Sequence, residues 1–177
     1  MTYFKIRKAR PYELQLLVSI DNEASQLYAD AGLDMDLPET HPFVIDEIQR
    51  WASLLNKEWI YVATDNGDNP VGFCALAFLD NHPYLDQLSV LPRYMRQGIG
   101  TKLLKQAANW SAPHPLWLTT YSHLPWNQSF YQKYGFEPVA EQSCGPELLE
   151  LLRVQRQALP EPENRIAMRY RSSEAFG

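Results

Sequence analysis

Read along the chain, the elements run β-α-α-β-β-β-α-β-α-β-α-β, which predicts an α+β fold with a central mixed sheet of about seven strands flanked by helices. Three observations carry this. Short apolar runs bounded by turn residues recur from Phe4 to Tyr170 and read as strands. Between them, apolar residues recur at the three- and four-residue spacing of a helix face, as at Ile99, Leu103, Leu104, Ala107 and Ala108. Asp65-Asn66-Gly67-Asp68-Asn69 is a strong hairpin signal between two of the apolar runs.

Phe4–Lys8 alternates apolar and basic residues and predicts the first strand. Pro11 suits a helix start, and Leu14, Leu17, Val18, Ala24, Leu27 and Tyr28 predict one or two helical segments ending near Gly32. An Asp-rich loop broken by Pro38 and Pro42 follows, and Val44, Ile48, Trp51 and Leu55 mark the next helix. Trp59–Thr64, Val71–Leu79 and His82–Leu91 read as three successive strands. After the helix that begins near Gly98, Pro115–Tyr121 is a strand and Asn127–Tyr134 a short helix, with Gly135 at its C-terminal end. Phe136–Ala140 is again extended. Gly145-Pro146 opens an amphipathic helix over about 146–158, inserted before the last strand, Arg165–Tyr170. The tail Arg171–Gly177 is expected to fray.

At 177 residues the chain suits a single domain, 1–177, with enough length to bury a core. A formal net charge of −5 argues against broad nucleic-acid binding, which needs a basic stripe. The charged start MTYFKIRKARPYE has no apolar signal region, and the longest apolar run, Val71–Leu79, is too short to span a bilayer. Cys74 and Cys144 build no disulfide framework, so a reducing, cytoplasmic location is expected. The histidines His41, His82, His114 and His123 do not fall at metal-ligand spacing, and no metal is expected. There is no G-x-S-x-G elbow, and Cys144 has no evident partner for covalent catalysis.

The stretch with the most chemistry is LDQLSVLPRYMRQGIGTKLL, Leu85 to Leu104. A strand ends at Pro92. A basic segment then leads to Gly98-Ile99-Gly100-Thr101 at the start of a helix. Free N–H groups and the positive end of the helix dipole suit a phosphate or pyrophosphate there. The dinucleotide fingerprint would need a third glycine where Leu103 stands, and a P-loop would need Gly-Lys-Ser/Thr where the order is Gly100-Thr101-Lys102.

The segment resembles the acetyl-CoA loop of the GNAT N-acetyltransferase superfamily, a strand ending V-x-P followed by Q/R-x-x-G-x-G/A. Val90, Pro92, Gly98 and Gly100 match, while Met95 replaces the usual Gln or Arg. A second stretch, TTYSHLPWNQSFYQKYGF from Thr119 to Phe136, resembles the family's N-x-x-x-Y-x-x-x-G-F at Asn127, Tyr131, Gly135 and Phe136. Its Leu-Pro-Trp-Asn entry followed by Phe130-Tyr131 resembles one branch of the family. The resemblance covers about residues 59 to 138.

The resemblance implies a GNAT-like sheet, acetyl-CoA as co-substrate, and an acetyltransferase in which an amine attacks the thioester directly. It implies a small-molecule amine acceptor and leaves homodimerisation open. Leu88, Ser89 and Val90 match the backbone that pairs with pantetheine and donates to the carbonyl oxygen. Arg93, Arg96, Gln97, Gly98, Ile99, Gly100 and Thr101 match the pyrophosphate loop. Tyr131 matches the tyrosine that protonates the leaving thiolate, with Tyr134 as a weaker candidate. Asn127 contacts pantetheine or serves as a plain helix cap. For the base, Asp86 shares a strand face with Leu88 and Val90 if alternation holds, which a bulge would upset; His82 and a water chain are rivals. The alternative function is a non-catalytic acetyl-CoA-binding module for sensing or assembly. Asp30, Asp34, Asp36, Glu39, Asp46 and Glu47 lie in a segment without Lys or Arg, which either attracts a cationic amine or is a solvated loop.

Overall fold

The computed structural model describes residues 3–170. In chain order the elements are β1 (Lys5–Lys8), α1 (Leu14–Ala24), α2 (Gln26–Asp30), α3 (Pro42–Asn56), β2 (Ile60–Thr64), β3 (Pro70–Leu79), β4 (His82–Val90), α4 (Ile99–Ser111), β5 (Trp117–Tyr121), α5 (Gln128–Lys133), β6 (Phe136–Val139), α6 (Pro146–Ala158) and β7 (Arg165–Tyr170). The strands form one seven-stranded sheet in the order β1-β2-β3-β4-β5-β7-β6. The β1–β2, β2–β3, β5–β7 and β6–β7 pairs are antiparallel. The β4–β5 pair is parallel, and its register consists of Tyr84↔Trp117. The sheet is therefore mixed, as expected. The expectation for the tail from Arg171 lies outside the described residues.

The chain divides into two compact units, one of residues up to Leu76 with Gln87–Ala107, the other of Ala77–Asp86 with the residues from Ala108 onward. In the first unit, Leu17 and Ile20 of α1 and Trp51, Leu54 and Leu55 of α3 are buried, and Trp51 packs edge-on against Phe73 of β3 at 5.2 Å. The β2–β3 hairpin closes as its residues predict. The Asp65 carboxylate accepts from the backbone N–H groups of Gly67 (2.8 Å) and Asn69 (3.0 Å), and Asp68 takes a left-handed φ of 63°. Arg7 of β1 then ties this turn to the chain before α1, donating to Asp68 at 2.9 Å and to Glu13 at 2.8 Å. Burial opposes the charge on Glu13. Hydrogen bonds from Arg7 and from the Arg10 N–H outweigh it and hold the carboxyl below its ordinary range.

In the first unit β3 and β4 approach closely at Gly72. A Cβ at that position would lie 2.9 Å from the Ser89 carbonyl oxygen and 3.3 Å from the Leu103 and Val90 side chains. A strand glycine here is a requirement of packing, and it lets α4 settle on the sheet behind the loop.

In the second unit, Leu118, Tyr121, Phe136, Met168 and Tyr170 form the core with Leu148 and Leu152 of α6. The inserted helix 146–158 is present as expected. Its N-terminus is capped from the β3–β4 turn: the Asp80 carboxylate accepts from the N–H groups of Glu147 (2.9 Å) and Leu148 (3.0 Å), while the Asp80 N–H donates to the Glu147 carboxylate. This is the reciprocal pattern of a capping box, assembled from residues 67 positions apart.

Candidate functional site

In the first unit β4 leads through Leu91 and Pro92 into a 3₁₀ turn, Pro92–Tyr94, and then into α4. Two left-handed residues, Arg96 at φ 61° and Gly98 at φ 82°, steer the backbone into the helix. A side chain is tolerated at such angles only with strain, so Gly98 suits its place for conformational reasons. Apart from its two chain neighbours, no atom of the described residues lies within 4 Å of where a Cβ would stand on Gly98. Arg96, Gln97 and Gly98 are exposed, whereas Ile99 is buried and anchors the first turn in the core.

By helix geometry the first N–H groups of the 13-residue α4 lack acceptors inside the helix. Together with the positive end of the dipole and the neighbouring arginines, they make this junction a fitting cradle for an anion. Of the two arginines, Arg93 donates to Glu23 of α1 at 3.3 Å and lies over the Tyr94 ring at 5.4 Å. Ile99 can offer only backbone.

Leu88, Ser89 and Val90 lie on the same unit's part of β4, and of these Ser89 keeps its side chain within the protein. Its hydroxyl is buried and donates to the Asp21 carboxylate of α1 at 2.7 Å. The Gln87 side-chain amide donates to the same Asp21 oxygen at 2.8 Å and to the Ser89 hydroxyl at 3.0 Å. What Ser89 can offer a ligand is its backbone. Sequence reasoning missed Asp21, because no motif marks a carboxylate 68 residues from its partner.

Asp86, Asn127 and Tyr131 belong to the second unit. Along β4 the alternation lapses: Pro83, Tyr84 and Leu85 are all buried, and Asp86, Gln87 and Leu88 are all half-buried. Parity from Asp86 to Leu88 is therefore not evident from burial. Tyr131 on α5 is buried, with its ring 5.3 Å from Phe130 and 5.6 Å from Phe136, both edge-on. Asn127 stands at the N-cap position of α5 and is buried, with no side-chain capping hydrogen bond. Tyr134 packs on Phe130 at 5.3 Å.

Three of the histidines make contacts within the protein. His82 stacks against Trp117 at 5.8 Å, the His41 ring accepts from the Phe43 N–H at 3.1 Å, and His123 pairs with Glu161 at 2.7 Å. Burial pushes the Cys74 thiol up to about 12. Burial, with Glu141 and Asp80 adding to it, also raises that of Cys144. Neither sulfur is poised as a thiolate nucleophile at neutral pH. Among the described residues no group of three His, Cys, Asp or Glu side chains could hold a metal, and no helix is long and apolar enough to cross a membrane.

Comparison with known proteins agrees with this geometry. Residues 56–138 match the family model for the acetyltransferase (GNAT) domain. The chain is 30% identical over 147 residues to the uncharacterized N-acetyltransferase YafP of Escherichia coli K12, covering 80% of this chain and 87% of that one. Among solved structures, a GNAT-family acetyltransferase from Staphylococcus aureus superposes with a TM-score of 0.69 at 17% identity, covering 96% of this chain and 100% of the other. The PaiA N-acetyltransferase of Thermoplasma acidophilum, solved in complex with coenzyme A, gives 0.64 at 21% identity, covering 96% and 99%. The loop into α4, the sheet order and the relationship to YafP converge: the chain belongs to the GNAT family of acetyl-CoA-dependent N-acetyltransferases.

Proposed function

We propose that the chain, acting as one acetyltransferase domain, transfers the acetyl group of acetyl-CoA to the primary amine of a small molecule by direct attack in a ternary complex. The observation that carries this reading is the junction into α4, where Arg96 and Gly98 take left-handed angles and the space over Gly98 is open. The backbone from Gln97 to Thr101, with Arg93 and Arg96 beside it, holds the pyrophosphate. The backbone of Leu88 to Val90 pairs with pantetheine amides and donates an N–H to the thioester oxygen as charge builds there.

In the reaction the amine nitrogen attacks the thioester carbonyl carbon, the C–N bond forms and the C–S bond breaks. The amine proton passes to Asp86 or to water, and Tyr131 supplies a proton to the departing sulfur. Asn127 orders the start of the helix that carries Tyr131. The raised thiol pKa values of both cysteines favour direct transfer over an acyl-cysteine route.

The acceptor carries a positive charge in this reading. Asp34, Asp36, Glu39 and Asp46 are exposed and bring negative charge to one stretch of the first unit, which raises the local concentration of a cation. The test is CoA release from acetyl-CoA with a panel of cationic, neutral and acidic amines. Cationic small amines are expected to give the highest kcat/KM, falling as ionic strength rises. No amine-dependent CoA release would overturn the enzymatic reading, and a preferred acidic acceptor would overturn the charge assignment.

A further inference from the structure

We propose that Asp21 is a positioning residue for acetyl transfer. Resting on the reading above, it fixes the strand backbone that faces the thioester. Its carboxylate oxygen receives the Ser89 hydroxyl at 2.7 Å and the Gln87 amide at 2.8 Å, and the Gln87–Ser89 bond of 3.0 Å closes the ring. Gln87 and Ser89 flank Leu88, so the cluster grips the strand on both sides of that residue. Side chains alternate across a strand. The two that are held point towards α1, and the intervening peptide groups are left to a ligand at the strand edge.

The same segment is held from behind by β3. Leu91 donates to the Val71 carbonyl at 2.8 Å, and the Ser89 carbonyl sits where any Cβ on Gly72 would lie 2.9 Å away. This matters because the register of β4 with β5 consists of Tyr84↔Trp117. The residues after Tyr84 are the ones that would pair with the donor. A hydrogen-bond donor stabilises developing charge only if it is placed before the reaction begins, and a displacement of about 1 Å can cost roughly 100-fold in rate. Asp21 supplies that placement from α1.

The role requires an acceptor oxygen at this point and no net charge. Asn keeps the oxygen and Ala removes it. Asp21→Ala is expected to lower kcat by at least tenfold, with the KM for the amine changed less than threefold. Asp21→Asn is expected to return kcat to within threefold of wild type.

The readout independent of turnover is amide hydrogen exchange of Leu91, whose N–H donates to the Val71 carbonyl, in the free protein by NMR. Exchange should quicken at least tenfold in Asp21→Ala and stay near wild type in Asp21→Asn. Should Asp21→Ala fail to fold, Ser89→Ala and Gln87→Met each remove one arm of the ring and should quicken the same amide. Unchanged exchange in Asp21→Ala overturns the proposal. So does an Asp21→Asn variant as impaired as Asp21→Ala with a raised amine KM, since that pattern belongs to a carboxylate that binds the acceptor by its charge. If no amine supports turnover, the acetyltransferase reading fails, while the exchange rates still decide whether Asp21 holds the strand.

Discussion

Replacing Asp80 and Gly145 singly and together tests how the inserted helix is fastened. In the native protein the Asp80 carboxylate accepts from the first N–H groups of α6 at 2.9 and 3.0 Å. Removing such a cap costs about 1–2 kcal/mol. For a chain of this length, 1 kcal/mol corresponds to about 2–4 °C in Tm, so Asp80→Ala should lower Tm by about 2–8 °C. Gly145 has ordinary extended angles, φ −76° and ψ 168°, which alanine adopts without strain. The difficulty is space: a Cβ there would stand 2.2 Å from Asp80 Cγ and 2.3 Å from its Oδ2. Gly145→Ala must expel the Asp80 carboxylate and forfeit the same two bonds, offset by about 0.4–1 kcal/mol from the stiffer unfolded chain. Once Asp80 is already alanine, the obstruction is gone, and Gly145→Ala becomes neutral or stabilising by about 0.4–1 kcal/mol. The two substitutions should therefore be coupled by about 1–2 kcal/mol in a double-mutant cycle read by urea denaturation. Additivity within about 0.5 kcal/mol would refute the reasoning.

Other expected outcomes follow from the same geometry. Tyr131→Phe should lower kcat by about 100- to 10,000-fold with acetyl-CoA affinity nearly intact; a kcat within threefold of wild type in steady-state assays would remove Tyr131 from the role of acid. Gly98→Ala meets no neighbouring atom but must hold φ 82°, a strain of about 1–2 kcal/mol. It should weaken acetyl-CoA binding by calorimetry while the circular dichroism spectrum is retained. The folded-state pKa of Glu13 lies below its ordinary 4.5, so its contribution is fully present above that value and is lost as pH falls from 4.5 through the lower folded value. Glu13→Gln should flatten this part of the acid limb of the urea midpoint, and an unchanged slope would contradict the assignment. In the native protein at pH 8, Cys74 should not react with a thiol reagent and Cys144 should react more slowly than free cysteine. Both should react in denaturant.

How much the sequence determined by itself depends on how local each feature is. The strand-to-helix junction at Gly98, the hairpin at Asp65–Asn69 and the helix opened by Pro146 are specified by residues adjacent in the chain, because glycine, proline and aspartate act through their own backbone angles and nearest N–H groups. Those elements, the mixed sheet and the family were all legible from residue types and spacing. The features that only the tertiary structure decided are those whose two halves lie far apart in sequence. Asp21 reaches Ser89 across 68 residues, and Asp80 caps α6 across 67. Gly72 reads as an ordinary strand glycine until the Ser89 carbonyl is placed against it. Asp86 illustrates the same limit from the other side. Strict alternation would put it on one face with Leu88 and Val90, yet burial along β4 runs three buried residues and then three half-buried ones. A strand's faces are set by what packs against each stretch of it, and that packing is decided by chain folded back from elsewhere.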